Sequence, residues 1–230
     1  MFEENEVREA TLEYFGGDEL ATNVFMTKYC LKDKKGNFVE KTPDEMHRRL
    51  AKEFARMETK FEKSRLGPVA GQTYARRSGP CLTEDEIYSF LKDFKYIVPQ
   101  GSPMMGIGND YVNVSLSNCV VVDNPQDSVS SIMDAGKDLA NLFKRRCGVG
   151  LDISDLRPEG APVNNSARTT TGAWSFADFY SYVCRMIGQN GRRGALMISM
   201  DIRHPDIAEF VKMKHDLTKV TGANVSVKIT

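Results

Sequence analysis

Apolar positions in the first 95 residues recur at helical spacings. In KTPDEMHRRLAKEFARME, Thr42 is placed as an N-cap, Pro43 at the first helical position and Glu45 as the partner of a T-x-x-E capping box. Met46, Leu50, Phe54, Met57 and Phe61 follow as one stripe. A second box, Thr83 to Glu86, opens a helix bearing Ile87, Phe90, Leu91 and Phe94. KDKKGN reads as a tight hairpin or loop, and LGPVAGQTYARRSGP as a turn-rich connector.

From residue 96 the period changes. After the loop YIVPQGSPMMGIGND, β-branched runs alternate with helical stripes, the pattern of an α/β domain with mostly parallel strands. SLSNCVVVD is expected to be a buried strand, followed by a helix capped by Asp127 or Ser128, with Val129, Ile132, Met133, Leu139 and Leu142 inside. GVGLDIS is the second strand. A helix follows with Trp174, Phe179, Val183 and Met186 or Ile187 inward, then the strand GALMISM, a short helix starting at Pro205 and the strand ANVSVKI. Such a sheet leaves an edge and a face without helices, which points to a continuation in another piece.

Composition narrows the function classes. Lys plus Arg and Asp plus Glu number 31 each, so no basic field exists to hold a nucleic-acid backbone. No run approaches the ~18 apolar residues of a membrane span, and the start MFEENEVREA lacks a signal-peptide pattern, so a cytoplasmic protein is expected. Five cysteines, at 30, 81, 119, 147 and 184, form no CxxC pair and have no histidine at ligand spacing, so neither a disulfide framework nor a metal site is expected.

Three loops, YIVPQGSPMMGIGND, DLRPEGAPVNNSARTTTG and GQNGRRGA, combine glycine, hydroxyl or amide side chains and arginine, the groups that hold phosphates or a nucleobase; each also reads as a plain connection. GVGLDI continues into a strand and so does not open a dinucleotide-binding helix. Cys119 stands either as a buried small hydrophobe or as a thiol at the mouth of a parallel strand, where active sites of such sheets occur. His47, His204 and His215 read as structural or surface residues, and Arg145 and Arg146 as complements to a helix C-terminus.

In order along the chain, LEYFGGDELATNVFMTKYCLKD, TPDEMHRRLAKEFARME, YIVPQGSPMMGIGND, SLSNCVVV, KRRCGVGLDISDLRPEGAPV, GQNGRRGALMISM, HPDIAEFVKMK and GANVSVKIT resemble the large catalytic subunit of the ribonucleotide reductase family. The resemblance implies a helical N-terminal domain, residues 1–95, and an incomplete first half, residues 96–230, of a ten-stranded α/β barrel. It implies thiyl-radical reduction of ribonucleotides, with Cys119 as one of the two redox cysteines that become a transient disulfide. It places Ser102, Asn118, Gln189 and Arg193 at the substrate, and Asp127, Ser128, Val129 and Arg157 at a dNTP or ATP specificity effector.

By the same resemblance the radical cysteine, the second redox cysteine and the C-terminal reducing cysteines lie beyond Thr230, so this chain alone is expected not to turn over. The radical source is expected outside it, as adenosylcobalamin or a separate metal-containing small subunit, with thioredoxin or glutaredoxin as reductant. The other partners implied are the missing C-terminal half and a second copy in a homodimer, with neither membrane nor nucleic acid. The competing readings are a nucleotide-binding or dimerisation module without catalysis, and a generic α/β enzyme using Cys119 as nucleophile.

Overall fold

The structure, a computed structural model, describes residues 1–64, 81–187, 194–216 and 218–229. The expected connector at 66–80 therefore lies outside the described residues. The chain divides into two compact units, Met1–Leu116 and Ser117–Thr230.

The first unit is helical. It contains α1 (Glu4–Tyr14), α2 (Glu19–Lys28), α3 (Pro43–Ser64), α4 (Glu84–Leu91) and α5 (Gly101–Gly106), with a 3-10 turn at Lys92–Phe94. Asp18 caps α2 by accepting from the Ala21 N–H, and Thr83 and Glu86 form the reciprocal capping box of α4. At α3 the Glu45 carboxylate instead takes the Lys41 N–H at 2.7 Å, one residue before the expected partner. KDKKGN is a tight loop: Asp33 Oδ1 accepts from the Lys35 and Asn37 N–H groups, and Gly36 sits at φ +90°.

Val7, Phe25, Met26, Phe38, Met46, Leu50, Ala51, Ile87, Leu91 and Met104 make the core of this unit. The α3 stripe is buried only in its first turns, since Phe54 is exposed. α5 belongs here through Met104, so the segment 96–116, grouped by sequence with the barrel, packs with the helices.

His47 is fully buried in α3, edge-on to Phe94 at 4.5 Å, and neither ring nitrogen has a hydrogen-bond partner among the described residues. Burial pushes its pKa below the usual value; Asp44 and Asp93 oppose that shift without reversing it. The unfolded chain therefore takes up the proton first, near pH 6.5, so stability is intact above that pH and falls as pH drops toward the lower folded value. Unfolding free energies from urea titrations at pH 7.5 and 5.5 should differ by up to about 1.4 kcal/mol from this group, and His47→Leu should remove that part of the difference. An unchanged pH dependence in His47→Leu would rule this out.

The second unit is α/β: β1 (Cys119–Val121), α6 (Val129–Phe143), β2 (Gly148–Asp152), α7 (Ala173–Met186), β3 (Leu196–Asp201), α8 (Ile207–Lys212), a 3-10 turn at Met213–His215 and β4 (Asn224–Lys228). The four strands are parallel in the order β1-β2-β3-β4. Leu196, Ile198 and Met200 alternate toward one face and pack, with Val149 and Leu151, against Ile132, Leu139 and Phe143 of α6 and Ala177, Tyr180, Val183 and Cys184 of α7. The inward face of α7 is thus the Ala177–Tyr180–Cys184 side; Trp174 is only half-buried and Met186 is exposed. On α6, Val129 and Met133 likewise face out.

β1 corrects the expectation of a buried strand. It is short and lies at the sheet edge, with Cys119 exposed and Val121 83% exposed. A run of three β-branched residues carries the same pattern whether a neighbouring strand covers one side or both. The short helix after β3 starts at Ile207, two residues after Pro205.

Candidate functional site

Strand alternation sorts the sheet residues into two faces. Pairing sets Cys119 opposite Gly148, Val121 opposite Gly150, Asp152 opposite Ser199 and Asp201 opposite Lys228, so these residues share the face that α6 and α7 do not cover. Apart from the exposed Val121 and Met197, that face carries glycine and polar residues where the other is aliphatic. Gly148 leaves room for the thiol: a Cβ there would lie 3.3 Å from Cys119 Sγ, 3.3 Å from the Asn118 carbonyl oxygen and 3.4 Å from Ala195 Cβ.

Cys119, Asn118 and Ala195 therefore meet around Gly148 at the N-terminal end of the strands. The Asn118 carbonyl accepts the Gly148 N–H at 2.7 Å and the Ala195 carbonyl accepts the Val149 N–H at 2.8 Å. Cys119 is the first residue of its strand, so the mouth at which it stands is the N-terminal one and not the carboxyl end where active sites of open parallel sheets usually lie. Ala195 follows directly on the segment containing Gln189 and Arg193, which both lie outside the described residues. Ser102 is buried in α5 of the first unit.

The other thiols are differently placed. Cys30, Cys147 and Cys184 are buried and Cys81 is partly covered. Burial, reinforced by Glu40, pushes Cys30 up to about 12, and burial also raises Cys184.

Asp127, Ser128, Val129 and Arg157 come together at the carboxyl ends. Arg157 donates from Nε to Asp127 Oδ2 at 2.6 Å, from its backbone N–H to Oδ1 at 3.3 Å, and from its guanidinium to the Pro162 carbonyl at 2.7 Å. Ser128 caps α6 by accepting from the Ser131 N–H. Asn124 donates to Asp155 at 3.0 Å, a second tie between the loops after β1 and β2. Arg157 and Asp127 are each about one-third exposed, so the pair is open to exchange with a competing anion.

Deeper on the carboxyl side, Asp152 accepts from the Ser199 hydroxyl at 2.8 Å and pairs with Lys228 at 3.2 Å. Burial pushes its carboxyl up, but the hydrogen bonds from Ser154 and Ser199 and the Lys228 charge outweigh it and hold the group below the usual range. The Arg203 guanidinium, by a side-chain hydrogen bond first, holds Asp201 lower as well.

A groove of about 450 Å³ lies between the loop after β1 and α6, but its Asp123, Asp134 and Asp138 carboxylates make it a poor seat for a polyphosphate.

Two constellations have no counterpart among the site residues expected from sequence. In the first unit the buried pair Arg49–Glu40 holds the carbonyls at the end of α5. In the second, His204 and Asp206 reach back to the loop after β2. The only sequence signal for the latter is a histidine and a carboxylate flanking Pro205 directly after a strand.

No helix among the described residues is long and apolar enough to cross a membrane. Among those residues no group of three or more His, Cys, Asp or Glu side chains is placed to share a metal ion.

The sequence matches two family models, described as ribonucleotide reductase, all-alpha domain, over residues 15–110, and ribonucleotide reductase, barrel domain, over residues 117–230. It is 29% identical over 212 residues to a vitamin B12-dependent ribonucleoside-diphosphate reductase of Mycobacterium tuberculosis, covering 91% of this chain and 28% of that protein. A ribonucleoside-diphosphate reductase subunit alpha of Helicobacter pylori is 26% identical over 204 residues, 88% of this chain and 22% of the relative. The solved structure of the Actinobacillus ureae class Id ribonucleotide reductase alpha subunit superimposes on 91% of the chain at a TM-score of 0.62 and 17% identity, with 33% of that chain covered. The chain thus spans between about a fifth and a third of the length of these proteins.

Proposed function

The chain belongs to the ribonucleotide reductase large-subunit family, and from that premise we propose that it supplies the reducing thiol, the substrate turn and the specificity-effector loops of a ribonucleotide reductase. The observation that carries this reading is Cys119, an exposed thiol on the helix-free face, beside Gly148 in the neighbouring strand. In the reaction the ribose 2′-hydroxyl leaves as water and hydrogen takes its place. Two thiols, Cys119 and a second cysteine outside this chain, give up two electrons and two protons and end as a disulfide. The radical cysteine belongs to the length of the relatives that this chain does not span. The chain alone is therefore expected not to turn over.

Asn118 commits its carbonyl to the sheet, so substrate contact falls to its side chain. Ser102, Gln189 and Arg193 complete the substrate set. Asp127, Ser128, Val129 and Arg157 form the effector site, where a triphosphate replaces Asp127 as the partner of the Arg157 guanidinium.

A second copy of the chain is the proposed partner at α6 and α7. Val129 with Met133, and Tyr182 with Met186, form exposed apolar strips at i, i+4 spacing on those helices. A cytoplasmic location and a thioredoxin or glutaredoxin reductant go with this reading.

The radical source is read as adenosylcobalamin or a separate metal-containing subunit, the first favoured by the vitamin B12-dependent relatives. His47 is sealed in its core, His204 has both ring nitrogens engaged and His215 is exposed on a 3-10 turn. These three histidines form no cradle for such a group.

The test is reduction of CDP, UDP, ADP and GDP by the assembled enzyme containing this chain, with and without dTTP. We expect deoxyribonucleotide formation and a dTTP-dependent change in base preference of roughly 5–150-fold, the usual span of allosteric coupling. Arg157→Ala should raise the dTTP concentration needed by about tenfold or more, for loss of a charge-assisted contact. dTTP binding without any reduction by that enzyme would favour the non-catalytic module instead.

A further inference from the structure

Arg157 sits in a loop whose two flanks are gripped by one short segment after β3. On one side the Leu156 carbonyl bonds to His204 Nε2 at 2.8 Å. On the other the Glu159 N–H donates to both Asp206 oxygens, at 3.0 and 3.1 Å, and Trp174 Nε1 donates to the Glu159 carboxylate at 3.3 Å. Asp206 Oδ2 also accepts the Ala173 N–H at 3.1 Å, the first of α7. Gly172, the N-cap of α7, has no side chain to do so, and a Cβ on it would come within 2.6 Å of Asp206 Oδ2.

The Asp206 N–H donates in turn to His204 Nδ1 at 3.1 Å, which fixes the imidazole as the neutral tautomer that donates from Nε2 to Leu156. Both residues are 8% exposed. Asp206 thus ties three things together: the loop bearing Arg157, the start of α7, and His204. α7 runs on to Met186, just before the segment containing Gln189 and Arg193.

We propose that Asp206, oriented by His204, is a positioning residue for effector recognition: it holds Leu156 and Glu159 so that Arg157 is presented to the triphosphate, and anchors α7 to the same loop. The proposal rests on the reading of Arg157 as an effector residue. Asp206→Asn puts an NH₂ where a carboxylate oxygen accepts, against the Glu159 or the Ala173 N–H. His204→Gln retains an N–H for the Leu156 carbonyl while losing the acceptor for Asp206.

The experiment is equilibrium binding of dTTP to the assembled enzyme carrying Asp206→Asn, His204→Gln or Arg157→Ala, with amide hydrogen exchange on the same samples. Asp206→Asn should weaken dTTP about tenfold, as expected for loss of hydrogen bonds to a charged group, with a smaller loss for His204→Gln. Protection at the Glu159 and Ala173 amides should fall in Asp206→Asn while the β2 and β3 amides keep theirs. The dTTP concentration that shifts base preference should move by the same factor.

A folded Asp206→Asn that binds dTTP as wild type does, while Arg157→Ala binds weakly, overturns the proposal; so does a lowered melting temperature with unchanged dTTP affinity. Wild-type affinity in Arg157→Ala overturns instead the effector reading beneath it. If Asp206→Asn does not fold, His204→Gln decides: weakened dTTP binding supports the proposal and unchanged binding overturns it.

Discussion

Replacing Cys119 by serine should abolish multiple turnover in the assembled enzyme, by at least about a thousandfold, with substrate affinity within a few-fold of wild type. The hydroxyl is smaller than the thiol, so it fits beside Gly148 without a clash. It cannot form a disulfide, so the two electrons have no donor. The measurement is steady-state reduction with a thiol reductant, alongside substrate binding. Turnover by Cys119→Ser at the wild-type rate would remove this residue from the chemistry.

A labelling experiment gives the same prediction a second handle. Cys119 is exposed, whereas Cys30, Cys147 and Cys184 are buried and burial raises the thiols of Cys30 and Cys184, which slows their attack on an alkylating agent. Brief treatment with iodoacetamide should modify Cys119 ahead of those three and inactivate in step. Prior alkylation should leave dTTP binding in place, because Asp127 and Arg157 lie at the opposite end of the strands.

Much of the fold was legible because its signals are local. The Thr83–Glu86 box, the KDKKGN loop and the three later strands rest on spacing and turn chemistry that a few residues decide. Burial was less legible. Phe54, Val129 and Met133 lie on the expected stripes and yet face outward, since a helical stripe tells which residues share a face and not how far another element covers it. The exposure of β1 has the same origin.

The site divides in the same way. Asp127 and Arg157, both assigned to one effector by resemblance, lie in contact across a separation of thirty residues that parallel pairing of β1 and β2 closes. Their positions in the family motifs carried that expectation, and spacing alone would not have. Asp206 and Arg49 were not expected because each acts on backbone groups far away in sequence. A carboxylate that accepts two distant N–H groups leaves no periodic trace, and neither does a guanidinium that donates to two carbonyls.

Arg49 carries the largest expected effect on stability. Its guanidinium is one-tenth exposed and grips Glu40 twice, Nε to Oε1 at 2.5 Å and a second nitrogen to Oε2 at 3.2 Å, while Glu40 also accepts the Leu31 N–H at 3.1 Å. The same guanidinium donates to the Met104 carbonyl at 3.0 Å and to that of Ile107, where α5 ends and its dipole is negative. Gly108 at φ +69° lets the chain pass, since a Cβ there would stand 2.8 Å from Arg49 Cγ. Arg49→Met should destabilise the first unit by about 3–5 kcal/mol, mainly because Glu40 is left buried and uncompensated.

The paired change Glu40→Gln with Arg49→Met removes that charge and should recover part of the loss. About 1–3 kcal/mol should remain for the unpaired carbonyls at the end of α5. Urea unfolding of the two variants, read in the first unit, checks both figures. Equal stability of the single and paired variants would show that the uncompensated carboxylate is not what makes Arg49 costly to remove. Ser102 rides on α5; with the substrate role proposed for it, the paired variant of the assembled enzyme should also raise KM for the ribonucleotide more than it lowers kcat.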